Sequence, residues 1–187
     1  MSDTPEATIS PDKIKGNASL EVRNLLSNPA AFFTRRSGPG GVPCFGDSIH
    51  RRMVVTEAYI QSKREDEQKK EAVVIVELDV TDDMTNSNET LHGGCSAYLV
   101  DLVTTLVVMA YSIDVDKEFF AGVSQSINTT YHSPAVAGER LRIVSYTVAG
   151  GSRAKTARCE IWNATQHRLV AAGVHVKMAP STSQSKL

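Results

Sequence analysis

Leu91-His92-Gly93-Gly94-Cys95-Ser96-Ala97-Tyr98-Leu99-Val100-Asp101-Leu102-Val103-Thr104-Thr105 is the stretch whose reading decides the fold. It starts as a loop and continues as a helix that is apolar on nearly every side, running to about Ser112. Such a helix belongs inside a fold. Gly93 and Gly94 stand at its opening turn, where backbone N–H groups lack intrahelical partners and the helix dipole is positive. Without a Cβ in the way, a ligand oxygen can approach those amides closely.

Asp101 is the anomaly, a carboxylate among Leu99, Val100, Leu102 and Val103. Burial there is costly unless the group is paired or functional, and it pushes a carboxyl pKa upward, toward acid–base work. Gly93, Ala97 and Asp101 share a face by i, i+4, i+8 spacing. Eight residues of helix span roughly 12 Å. A carboxylate that far from its own helix N-terminus cannot act on an atom held there. If both groups serve one reaction, a second copy of the helix must supply one of them, so the spacing predicts a homo-oligomer with its site at an interface.

The chain has 187 residues, enough for one domain with a sizeable core and unstructured ends. Lys+Arg 20 against Asp+Glu 21 leaves a net charge of -1, which gives no electrostatic reason to expect nucleic acid or an acidic membrane as partner. Cys44, Cys95 and Cys159 lack metal spacing and fit a reducing interior. Cys95, at the helix opening, reads as a packing residue rather than a nucleophile. Asp101 near the centre of the longest apolar run argues against a membrane span. No metal site is expected. The last three residues, Ser185-Lys186-Leu187, match the peroxisomal address read by an import receptor. They set the expected location in the peroxisome, with cytoplasm or mitochondrion as alternatives.

Along the chain, residues 1–42 read as an extension. Its first nineteen residues are polar and expected to be disordered. A short helix follows Ser19 and breaks near Pro29, and Arg35 to Gly41 has linker composition. Residues 43–179 read as the folded domain and 180–187 as a flexible tail. Arg52 to Ile60 and Glu71 to Val80 are strands, the second with Val74, Val76, Leu78 and Val80 on one face. After the helix, Glu118 to Tyr131 reads as a strand with Ser124, Ser126, Asn128 and Thr130 in a polar row. Leu141 to Val148 and Lys155 to Asn163 are the next strands. A last strand carries Val170, Ala172, Val174, Val176 and Met178 on its apolar face. Two strands, one long buried helix and four strands give an α+β fold, a mainly antiparallel curved sheet wrapped around one helix: the hotdog architecture.

Thr90-Leu91-His92-Gly93-Gly94, then Asp101, Gly122-Val123-Ser124 and Asn128-x-x-Tyr131-x-Ser133-Pro134-Ala135 resemble the hotdog-fold acyl-CoA thioesterases of the PaaI-like branch over about residues 45–178. The resemblance implies hydrolysis of acyl-CoA to a free acid and CoA, without a cofactor. It implies that the Gly93 N–H and the Asn86 side chain polarise the thioester carbonyl. Asp101 then acts as base or nucleophile, with Ser124 assisting. His92 and Gly94 take positioning roles. The family pairs Asp and Ser of one subunit with Asn and Gly of another, in a dimer or, as expected here, a tetramer. Its CoA contacts fall on Ser126, Tyr131 and the turn Gly150-Gly151-Ser152-Arg153-Ala154, whose amides and guanidinium suit phosphate. Two departures stand out: about forty extra N-terminal residues, and Asn88-Glu89 just ahead of His92. The competing readings are a hotdog enoyl-CoA hydratase or dehydratase, and a non-catalytic CoA-binding protein. His132 and His175 have no visible partner and read as surface or strand residues.

Overall fold

A computed structural model of the chain describes residues 7–33 and 44–180. The Arg35–Gly41 linker and the Ser185–Leu187 tripeptide lie outside the described residues. Two short helices come first, α1 (Leu20–Leu26) and α2 (Pro29–Phe33), then the single turn α3 (Asp47–His50). Strands β1 (Val54–Ser62) and β2 (Lys70–Asp79) precede the long helix α4 (Gly93–Tyr111). Strands β3 (Val123–Tyr131), β4 (Arg140–Gly150), β5 (Ala154–Asn163) and β6 (Arg168–Met178) follow. The six strands form one antiparallel sheet in the order β1-β2-β4-β5-β6-β3. This is the hotdog fold.

The alternation in β2 is real: Val74, Val76, Leu78 and Val80 are all essentially inaccessible, packed with Leu99, Val103, Leu106 and Val107 of α4. By length and composition the helical run Gly93–Asp116 is apolar enough to cross a membrane, but 78% of its most apolar window is buried. Its apolar surface is therefore taken up by the core of this fold.

The N-terminal segment corrects an expectation. Residues 7–19 are not disordered. Ile14 and Ala18 are buried, as are Val22, Leu26 and Ala30 further on. The reason is edge pairing. Lys15 bridges Glu57, the Ala58 N–H donates to Lys15 O, and the Ala18 N–H donates to Ala58 O. The Asn17 amide grips Ile60 on both its N–H and its carbonyl. Sparse apolar residues suffice because the backbone groups satisfy one another along the β1 edge. Edge strands are exposed to unwanted pairing, and this chain covers one of its two edges with its own segment. Among the described residues the other edge, β3, pairs only with β6, and eight of its nine residues are exposed.

Strand β6 corrects a second expectation. Its inward residues are Ala171, Gly173, His175 and Lys177, while Val174 is 38% exposed on the outer face. Val170 is buried as expected, ahead of a register shift, but from Ala172 onward the periodicity identified the two faces and assigned the wrong one to the interior. The small residues fit beneath α4, where a Cβ on Gly173 would lie 2.6 Å from Val100. The two titratable residues continue the same face.

A third correction is local. The β3–β6 register shifts between Ser124 and Ser126, which leaves Gln125 in a bulge. Directly paired residues lie on one face. Ser124, opposite Lys177, therefore points inward with Ile127 and Tyr131, whereas Ser126, opposite Val176, points outward. The expected polar row is broken, and the bulge aims Ser124 at the helix.

Candidate active site

The opening of α4 is built by the loop before it. His92 is the N-cap, and its Nδ1 accepts the Gly94 N–H at 2.9 Å. The ring is therefore neutral at that nitrogen, and it covers the second amide of the helix. Among the described residues the Gly93 N–H meets no acceptor, while the Gly93 carbonyl accepts the Tyr131 hydroxyl at 3.0 Å. A Cβ on Gly93 would lie 3.4 Å from the Tyr131 ring, an ordinary contact, so the space before this amide is open within one chain.

Asn86 closes the same loop. Its Oδ1 accepts the Asn88 N–H (2.9 Å), the Thr90 N–H (3.3 Å) and the Thr90 hydroxyl (3.2 Å). Backbone amides can only donate, so the oxygen is fixed in the loop and the NH2 group is turned away as a donor. Two donors, the Gly93 amide and the Asn86 side chain, thus belong to one short loop and helix start.

Asp101 is not buried, contrary to expectation: its side chain is 37% exposed. After the first turn of α4 the half-exposed residues are Ala97, Tyr98, Asp101 and the terminal Tyr111, so among the described residues the Gly93–Ala97–Asp101 stripe is left uncovered along the first half of the helix. The Ser124 hydroxyl donates to Asp101 Oδ1 at 3.5 Å. Both line a cleft of about 440 Å³ with Phe33, Phe45, Tyr98 and Lys177.

Sequence reasoning missed the residue behind Asp101. His175 is fully buried, with Nδ1 2.6 Å from Thr104 Oγ1 and 3.7 Å from Asp101 Oδ1. The Thr104 hydroxyl gives its proton to Val100 O at 2.6 Å, so Nδ1–H must be the donor toward Thr104. Nε2 is then a bare acceptor, and it has no partner among the described residues. Burial, reinforced by Lys177 and opposed by Asp101, holds the His175 pKa down from 6.5 to about 4. Lys177 donates to the Thr105 hydroxyl at 3.0 Å; burial lowers its pKa too, against the pull of Asp101. A neutral imidazole and a lysine thus flank Asp101 from β6. The available signal was His175-x-Lys177 in line with Ala171 and Gly173.

The sign of the His175 shift gives a stability prediction. With its folded pKa depressed, the unfolded chain binds the extra proton between pH 6.5 and about 4. Stability is fully present above pH 6.5 and is lost as pH falls through that window. Urea midpoints should drop between pH 6.5 and 5 in the native chain, and His175→Gln should flatten that slope. An unchanged slope in the variant would contradict the assignment.

The remaining expected contacts divide. Tyr131 sits at the start of α4, while Gly150 packs on the Tyr111 ring at its end. Nineteen helical residues separate them, about 28 Å. Ser126 faces away from Tyr131. One chain therefore does not gather Ser126, Tyr131 and Gly150–Ala154 around one ligand. Burial pushes the Cys95 thiol up to about 11, which suits packing and not a thiolate.

A family model described as the thioesterase superfamily matches residues 88–170. Acyl-coenzyme A thioesterase 13 of Mus musculus is 36% identical over 104 residues, which cover 56% of this chain and 71% of that protein. The chain belongs to the thioesterase superfamily. Two solved structures agree with this assignment. Thioesterase superfamily member 2 from zebra fish superposes with a TM-score of 0.59 at 29% identity, over 74% of this chain and 88% of that one. The Mus musculus protein of the same description gives 0.62 at 26% identity, over 87% and 99%. Of the thioesterase residues discussed above, Gly93, Asp101 and Ser124 fall inside the family match. Asn86, His175, Lys177 and the cleft residues Phe33 and Phe45 lie outside it, while Tyr98 lies within.

Proposed function

We propose that this thioesterase hydrolyses acyl-CoA to a free carboxylic acid and CoA at a site completed by two chains. The observation that carries the reading is the open stripe on α4, with its donors at one end and its carboxylate roughly 12 Å along. The uncovered β3 edge, beside Ser124, offers the place where a second chain would join. The relatives named acyl-coenzyme A thioesterase support the substrate class.

In this mechanism the thioester oxygen lies against the Gly93 amide and the Asn86 NH2 of one chain. Asp101 of the other takes a proton from water, which Ser124 helps to position. Hydroxide adds to the carbonyl carbon, and the oxyanion is held by the two donors and the positive helix end. Collapse breaks the C–S bond, and the proton held by Asp101 goes to the departing CoA sulfur. The neutral His175, hydrogen-bonded to Thr104, stands behind the carboxylate without adding a charge there. CoA would be gripped by more than one chain, since its expected contacts sit at opposite ends of α4. The test is thiol release from a panel of acyl-CoAs of varied chain length. Release over background supports the reading; no release from any member contradicts it.

A further inference from the structure

We propose a zinc-class metal site formed by Cys44, Asp47 and His50, at the wall of the cleft that Cys44 itself lines, with no part in the hydrolytic steps. The three residues stand at i, i+3 and i+6 around the α3 turn, and one donor atom from each lies within 4.8 Å of the others. Asp47 Oδ1 is 3.4 Å from His50 Nε2 and 4.0 Å from Cys44 Sγ. Tetrahedral zinc with bonds of about 2.0–2.3 Å places its ligand atoms about 3.3–3.8 Å apart, so the three donors converge to within small side-chain adjustments of that spacing.

The hydrogen bonds around the cluster select which atoms face inward. The Tyr98 hydroxyl gives its single proton to Phe45 O at 2.8 Å. It must therefore accept from His50 Nδ1, 3.0 Å away, which puts the imidazole proton on Nδ1. His50 Nε2 then presents a lone pair toward a carboxylate oxygen at 3.4 Å, on a ring that is fully buried. Asp47 Oδ1 is also approached by the Cys44 thiol at 4.0 Å, so nitrogen, oxygen and sulfur ligand atoms meet at one point, a mixed set that suits a zinc-class ion. The outer contacts have the form that metal sites use: a ligating imidazole fixed through its far nitrogen, and a carboxylate whose second oxygen is held, here by Arg51 Nε at 2.7 Å.

The backbone is shaped for the cluster as well. Gly46 adopts φ +69°, and a Cβ there would meet the Tyr98 ring at 2.2 Å. Only glycine lets the chain turn between Cys44 and Asp47 while lying flat on that ring. Binding would release the Cys44 thiol proton, which otherwise donates to Phe33 O at 3.4 Å. The bound ion would fix the turn that carries Phe45 along the wall of the cleft.

The experiment is titration of the chelator-treated full chain with Co2+, followed by Zn2+ competition. The proposal expects one ion per chain, a thiolate-to-cobalt charge-transfer band and tetrahedral d–d absorption, all displaced by Zn2+. Cys44→Ser should abolish the band, Cys95→Ser should keep it, and Tyr98→Phe should weaken affinity about 10–100-fold. Circular dichroism of Cys44→Ser establishes that its loss of the band is not unfolding. No binding, binding without a thiolate band, or a band that survives Cys44→Ser would each overturn the site and leave a protonated His50–Asp47 ion pair in its place.

Discussion

Asp101→Asn is expected to lower kcat for acyl-CoA hydrolysis by about 10²–10⁴-fold, the usual contribution of a positioned general base. The substitution preserves shape, and the site tolerates it structurally. The side chain is 37% exposed, and the amide oxygen can still accept from Ser124. What it removes is the ability to take a proton from water. KM should change little, because Asp101 meets the attacking water and not the body of the substrate. Turnover at the native rate with unchanged melting would remove the base assignment. His175 and Lys177 would then need another explanation, since both are buried against this one carboxylate.

The second large effect is expected at the carbonyl-binding end. Asn86→Ala would confuse two roles, because Oδ1 also holds the loop through Asn88 and Thr90. Asn86→Asp keeps those acceptor contacts and deletes only the NH2 donor, replacing it with negative charge where an oxyanion must form. A loss of about 10²–10³-fold in kcat is expected, the usual cost of one such donor, with thermal stability nearly native. Gly93→Ala offers an independent check. Its Cβ finds ordinary contact distance from Tyr131, so the chain should fold. Yet the methyl group crowds the space before the amide, and activity should fall by a similar factor. Native activity in both variants would place the carbonyl elsewhere.

Much of this was legible in the residues. The double glycine after His92 marked a helix start, and the apolar run marked a core helix. The i, i+4, i+8 spacing of Gly93, Ala97 and Asp101 named the one face that the fold leaves open. The alternation in β2 placed its valines correctly. What stayed hidden was of two kinds. The bulge at Gln125 has no residue signature, yet it turns Ser124 toward Asp101 and sends Ser126 the other way. In β6 the hydrophobic pattern pointed outward. Around an active site the inner face of a strand is polar, and valines on the outer face are free to serve a contact between chains. The polar N-terminal residues misled for a third reason. Their order comes from backbone pairing along an edge, which composition does not report.

The central claim is that carboxylate and carbonyl donors come from different chains. It is tested most directly by mixing Asp101→Asn with Asn86→Asp, each nearly inactive alone, after unfolding and refolding them together. In a shared site, a mixed pair has one doubly damaged site and one intact site. Random pairing of equal amounts should then restore about a quarter of native activity. If the site lies within one chain, every site carries one lesion, and the mixture will be no more active than the two variants assayed apart.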